Sequence, residues 1–139
     1  MKKLLPLTAA MLAATTGVSV AHGETALEKS PPGEPYGQVS DVLPIPEFVP
    51  GLGTLFVYPT ILPAGPFLAY DHDGKLSATV YMTPLEDLQK GTAYDGLGVG
   101  SHTVSDVEIY YNAGYPGVEK PHARIVLYHD DEAKGRLAE

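Results

Sequence analysis

The chain has no cysteine and no tryptophan, and only three phenylalanines. The first absence excludes disulfides, cysteine nucleophiles, cysteine metal sites and lipoprotein attachment, so any fold must be held by its core, by a metal or by copies of itself. Basic charge is also scarce. There are 9 Lys and Arg against 17 Asp and Glu, for a net charge of −8. Such a surface repels phosphate backbones and anionic lipid, so neither a nucleic-acid partner nor a membrane-docking surface is expected.

What is present first is an export signal. Lys2 and Lys3 form a positive start, and Leu4 to Val20 is apolar or small and uncharged. Ser19-Val20-Ala21 sets small residues where a signal peptidase reads, which predicts cleavage after Ala21, with Gly23 as second choice. The apolar stretch is short and weakly hydrophobic for a bilayer span, so a secreted or periplasmic protein is expected rather than an anchored one. Loss of residues 1–21 leaves 7 basic against 17 acidic residues, or −10. Residues 22–49 then read as a Pro-rich tether, partly disordered: Ser30-Pro31-Pro32-Gly33-Glu34-Pro35 suits neither helix nor sheet interior, while Val42, Leu43, Ile45, Phe48 and Val49 anchor an extended segment that lies on the domain.

Residues 50–139 read as one β-rich domain. Nine tyrosines, 15 glycines and 13 prolines suit strands joined by turns. Strands are expected at Thr54–Tyr58, Phe67–Asp71 and Leu76–Met82, with a hairpin closed by Asp73-Gly74. In the third, Leu76, Ala78, Val80 and Met82 alternate with Ser77, Thr79 and Tyr81. Thr83, Pro84 and Glu86 predict a capped short helix ending at Gly91. Gly96, Gly98 and Gly100 lack the Lys-Ser/Thr of a phosphate loop and read as a flexible surface loop. Two further strands, Val104–Tyr111 and His122–His129, flank a loop, and Asp130-Asp131-Glu132 opens a terminal helix. The expected fold is α+β and β-rich: an antiparallel sheet or small open barrel with two short helices.

The stretch Tyr110–His129, YYNAGYPGVEKPHARIVLYH, organises the domain. Its loop holds two glycines and two prolines, too long for a two-residue hairpin turn. Gly114 to His122, followed by an apolar strand ending in Tyr128, resembles a family of small exported bacterial domains of unknown function. Those domains carry a "HPG…PH" loop and are linked with control by an extracytoplasmic sigma factor and its anti-sigma factor. The Pro-Gly-x-Gly start at Pro50 also resembles that family's first strand. The chain departs from it with Tyr115 before Pro-Gly, with Arg124 and Val126 at its acidic and His positions, and without a His near Thr54. Of its polar residues the resemblance carries over only His122, and it implies no activity.

Candidate chemistry is sparse. Asp71-His72-Asp73 and His129-Asp130-Asp131 are the densest ligand-type clusters, but without helical His spacing a site would have to be assembled across strands, and the simpler reading sets His72 at an exposed hairpin tip and His129 at a strand end; whether a metal is bound is unknown from the sequence. The calcium-loop reading of Asp71 fails because its twelfth position is Met82. Ser101, His102 and Asp106 make a poor triad, since adjacent Ser and His point apart. Asp106 and Glu108 could form an acid pair, but a salt-bridge face with Arg124 is simpler. The residues assigned to binding are His122, Arg124, Glu108, Tyr110 and Tyr115, with Arg124 opposite Glu108 and His122 opposite Tyr110 across neighbouring strands. No catalytic residue and no cofactor are assigned. Three functions stay open: a non-enzymatic exported protein that binds a partner or self-assembles as a homo-oligomer in the envelope; a small-molecule or metal-binding module; and an enzyme with a non-standard site.

Overall fold

The computed structural model describes residues 24–139. The signal segment 1–21 and the first two tether residues lie outside the described residues. The elements are α1 (Glu24–Leu27), β1 (Gly37–Gln38), β2 (Thr54–Val57), β3 (Phe67–Tyr70), β4 (Leu76–Pro84), α2 (Leu85–Gln89), β5 (Asp106–Asn112), β6 (His122–Tyr128) and α3 (Ala133–Leu137). The strands make one sheet, ordered β1-β2-β3-β4-β6-β5, with every neighbouring pair antiparallel. It is an open sheet rather than a barrel, since β1 and β5 end it without pairing. The short helices α2 and α3 make it α+β, as its composition implied.

Both faces of the sheet carry a core. On one face Val57, Phe67, Ala69, Ala78, Val80 and Val126 meet Val39, Leu52, Ala133 and Leu137. On the other, Leu27, Phe56, Leu68, Tyr70 and Leu76 cluster with Tyr36. The central strand β4 is therefore buried from end to end, Ser77 and Thr79 included. The polar members of its alternation do not meet water. Thr79 Oγ1 accepts the Gly100 N–H at 2.9 Å and bonds His129 Nε2 at 2.7 Å. The Tyr81 hydroxyl donates to the Gly98 carbonyl at 2.6 Å. The glycine stretch 96–100 is thus a cover pinned on the sheet, and not the free loop its composition suggests. The cover lies close at Gly100, where an added Cβ would stand 2.9 Å from Leu68 and 3.0 Å from Leu76 and Thr79.

A β-bulge divides β4. Ala69 pairs with Ala78 but Tyr70 pairs with Leu76, so Ser77 is the extra residue. Leu76 consequently joins the Tyr70 cluster, away from Ala78, Val80 and Met82, with which regular alternation had grouped it. The helix start also differs from expectation. Thr83 and Pro84 remain in β4, paired with Ala123 and His122, so Thr83 cannot cap α2. Seven ladder pairs with β6 outweigh one capping bond.

The expected tether is, over residues 24–49, part of the domain. Its apolar side chains carry it. Leu27 is buried, and its carbonyl accepts the buried Tyr70 hydroxyl at 2.7 Å. The Ser30 N–H donates to the Gly74 carbonyl and the Leu76 N–H to that of Glu28, so the segment is stitched to the β3–β4 hairpin. Beyond its prolines, Gly37 and Gln38 pair with β2, and Val39 is only 2% exposed. Prolines forbid helix here but leave an extended strap free to bury its apolar residues.

The C-terminal helix is fixed by charge. Arg136 Nε lies 2.8 Å from Asp71 Oδ2, its two terminal nitrogens reach Asp130 at 2.8 and 2.7 Å, and Nη2 donates to Ser77 Oγ at 3.0 Å. Burial alone would raise the Asp71 carboxyl. The backbone N–H groups of Lys75 and Asp73 and the Arg136 guanidinium outweigh it and hold Asp71 below its ordinary value. Arg136 brings Asp130 down to about 2.

Candidate functional site

The loop between β5 and β6 is folded back by a tight turn. The Tyr115 and Val118 backbones exchange hydrogen bonds across Pro116 and Gly117. Gly117 has φ +93°, the positive value that the third position of a proline-led turn of this type needs. Gly114, at φ +115°, lets the chain pass so close to Glu119 that an added Cβ would stand 2.5 Å from its carbonyl oxygen. The turn rests on the strap, with the same test atom on Gly117 only 3.0 Å from Pro44.

This turn delivers Tyr115 beside β6. There the ring meets His122 edge-on, with centroids 5.9 Å apart, while its hydroxyl lies 3.3 Å from Met82 Sδ. Burial pushes the Tyr115 phenol up, opposed by the Arg124 charge beside it. Arg124 is 7% exposed. Its guanidinium lies 5.3 Å from the Tyr115 ring centre and 5.7 Å from that of Tyr110, and donates to the Tyr110 hydroxyl at 3.4 Å. Among the described residues it joins no ion pair, and two aromatic faces take the place of a carboxylate.

His122 is 1% exposed, and both its ring nitrogens are committed. Nδ1 is 3.0 Å from the Lys120 carbonyl, which can only accept, so Nδ1 carries the proton. Nε2 then offers its lone pair to Arg124 Nη2 at 3.4 Å. A histidine so engaged ties the loop exit to the strand.

Four of the five residues assigned to binding are thus brought together: Tyr110, Tyr115, His122 and Arg124. Glu108 is not among them. The register sets Arg124 opposite Tyr110 and His122 opposite Asn112, two residues from the pairing expected, while the shared face is as expected. Glu108 instead accepts from the Tyr128 hydroxyl at 2.6 Å and pairs with Lys134 at 2.7 Å. Lys134 first, and Tyr128 second, hold its carboxyl below the ordinary value. The salt-bridge face expected with Arg124 is therefore replaced by a link to α3. Asp106 caps the Val107 N–H and forms no acid pair with Glu108.

Beside His122 opens a cleft of about 710 Å³. Leu43 of the strap, Leu62, Phe67 of β3, Met82 of β4 and Val118 of the turn wall it, and His122 closes one side. Sequence reasoning missed all five apolar walls. Leu43 and Leu62 sit among prolines, and an apolar side chain in a segment unfit for helix or strand was the available signal. Two further histidines, His129 and His72, are held by packing and hydrogen bonds. Burial lowers His129, which bonds Thr79 and the Thr103 carbonyl. His72 stacks on Phe48 at 3.6 Å. Among the described residues no three His, Cys, Asp or Glu side chains converge as a metal site.

No family model and no curated protein matches the chain. The crystal structure of hypothetical protein TTHB210 from Thermus thermophilus does, at 38% sequence identity and a TM-score of 0.61. The match covers 68% of this chain and 94% of the Thermus one. The chain belongs to the family of TTHB210. Identity at that level over nearly the whole of TTHB210 makes the open β-rich sheet a shared family fold.

Proposed function

We propose that the protein is exported, to the periplasm or beyond the cell, and works by association rather than catalysis, as an envelope protein that assembles with copies of itself. One observation carries this reading. The apolar side of β5 faces outward: Val107, Ile109 and Tyr111 are 48%, 71% and 62% exposed. Half-buried Leu127, Ile125 and Ala123 lie directly opposite them on β6 and extend the stripe. The side of β5 turned toward the core holds Glu108 and Tyr110 instead. Strand β5 also ends the sheet, so its outer backbone groups are open to another strand. A contiguous apolar stripe on an edge strand marks an interaction surface. The stripe itself carries no charge, so two copies can meet there although each is strongly acidic.

Support for export is the segment Lys2–Ala21. No helix of the described residues is long and apolar enough to cross a membrane. The Gly114–His122 resemblance supports expression under an extracytoplasmic sigma factor. The test is sedimentation velocity over a concentration series. Assembly is expected at micromolar protein, and Ile109→Glu should shift it to monomer with an unchanged melting temperature. A wild-type monomer at high concentration would overturn the reading. A second reading, binding of a small molecule, is favoured by the cleft beside His122.

A further inference from the structure

We propose that the cleft beside His122 is a binding site for a neutral, apolar small molecule, one with a hydrocarbon or ring body and no carboxylate or phosphate. The inference rests on the second reading above and is independent of self-assembly.

Its size comes first. About 710 Å³ lies within the range of pockets that hold drug-sized ligands. Its construction comes next. Three separate stretches meet to form it: the strap at Leu43, the turn at Leu62 and the loop at Val118, over a floor of Phe67 and Met82. Loop and strap pass close together, since a Cβ on Gly117 would stand 3.0 Å from Pro44 and 3.1 Å from Leu43, so two of the walls adjoin without an occupant.

The polar groups decide the ligand's class. His122 lines the cleft with Nδ1 and Nε2 already bonded, so it offers an occupant no free donor. Lys120, at the rim, gives its charge to Glu86 at 2.8 Å. Asp87 and Glu119 also stand there, so acidic groups outnumber basic ones at the entrance. An anionic head would meet repulsion and no free cation in the lining, because Lys120 is paired and Arg124, engaged with Tyr115 and His122, does not line the cleft. A neutral body loses little hydration on entering and covers the apolar walls. The stripe on β5 is on the opposite side of the sheet from Met82 and His122, so the two surfaces are separable by mutation.

The experiment is fluorescence titration of the purified protein with N-phenyl-1-naphthylamine, a neutral probe, with displacement by decanol and by decanoate. Saturable binding at one probe per chain is expected, displaced by decanol and not by decanoate. Leu62→Glu sets a charge in the wall at a position 44% exposed, where folding should be unaffected. It should weaken the probe by about tenfold or more at an unchanged melting temperature. Ile109→Glu should leave probe affinity unchanged whatever it does to assembly. The proposal is overturned if no saturable binding occurs, if decanoate competes as well as decanol, or if Ile109→Glu rather than Leu62→Glu abolishes binding.

Discussion

Replacing Arg136 by Met should cost far more stability than removing an exposed charge such as Lys134. Asp71, whose side chain is 3% exposed, would lose the cation 2.8 Å away, and Ser77 would lose a donor. Breaking a buried ion pair by deleting one partner typically costs about 3–5 kcal/mol. Here Asp71 keeps the N–H groups of Asp73 and Lys75, both at 2.9 Å. Arg136 is itself 25% exposed, so water screens part of its charge. Those two facts bring the expected loss to about 2–3 kcal/mol, or a drop of roughly 10–20 °C in melting temperature. Lys134→Met, which removes a pair whose lysine is 63% exposed, should leave melting nearly unchanged. The pH dependence has a definite sign. Both Asp71 and Asp130 titrate below their ordinary value in the folded state, Asp130 at about 2. Their contribution is therefore complete above the ordinary carboxylate range, and is lost as pH falls from there toward 2. Arg136→Met should flatten that acid limb. Thermal melts at pH 7 and in steps toward pH 2 measure both effects. A variant melting within about 2 °C of wild type at pH 7, with the same acid limb, would refute the account.

Two more predictions concern the loop between β5 and β6. His122→Ala should cost about 1–2 kcal/mol for the lost bond to Lys120, and more for the vacated ring, with His122→Gln falling between Ala and wild type; unaltered melting in both variants would refute the structural role. Gly114→Ala should lower the urea midpoint well beyond Gly96→Ala, because both glycines have positive φ but only at Gly114 would the new Cβ press on a carbonyl; equal midpoints would count against the close passage past Glu119.

The strands were legible because alternation and turn residues act locally. Thr54–Val57, Phe67–Tyr70 and His122–Tyr128 stand within a residue of where β-branched and aromatic residues ended at Pro, Asp or Gly. The second half of the strap was legible as an extended segment anchored by Leu43, Ile45 and Val49, and its first half was not. Its prolines are a local signal, whereas the burial of Leu27 and Val39 depends on partners distant in the chain. His122 and Arg124 share a face by period-2 alternation alone, and Tyr110 joins them because the expected register, though two residues off, has the right parity. The register itself did not follow. It depends on how the chain doubles back at Tyr115–Val118, and a two-residue slip preserves every facing while exchanging every partner. That exchange separated Glu108 from Arg124. The cleft was hidden for the strap's reason, since its walls come from distant segments.

The bulge at Ser77 acts as a change of parity in the sheet. Before it Leu76 counts with one core, and after it Ala78, Val80 and Met82 count with the other, although all four occupy even positions of one written pattern. The arm of the hairpin on the Leu76 side is also the arm to which Glu28 and Ser30 are stitched. One surplus residue therefore settles which layer receives the first segment of the domain. In relatives of this chain, a single-residue gap or insertion near this point would mean that the two layers have traded a side chain, while the hairpin's length barely changes.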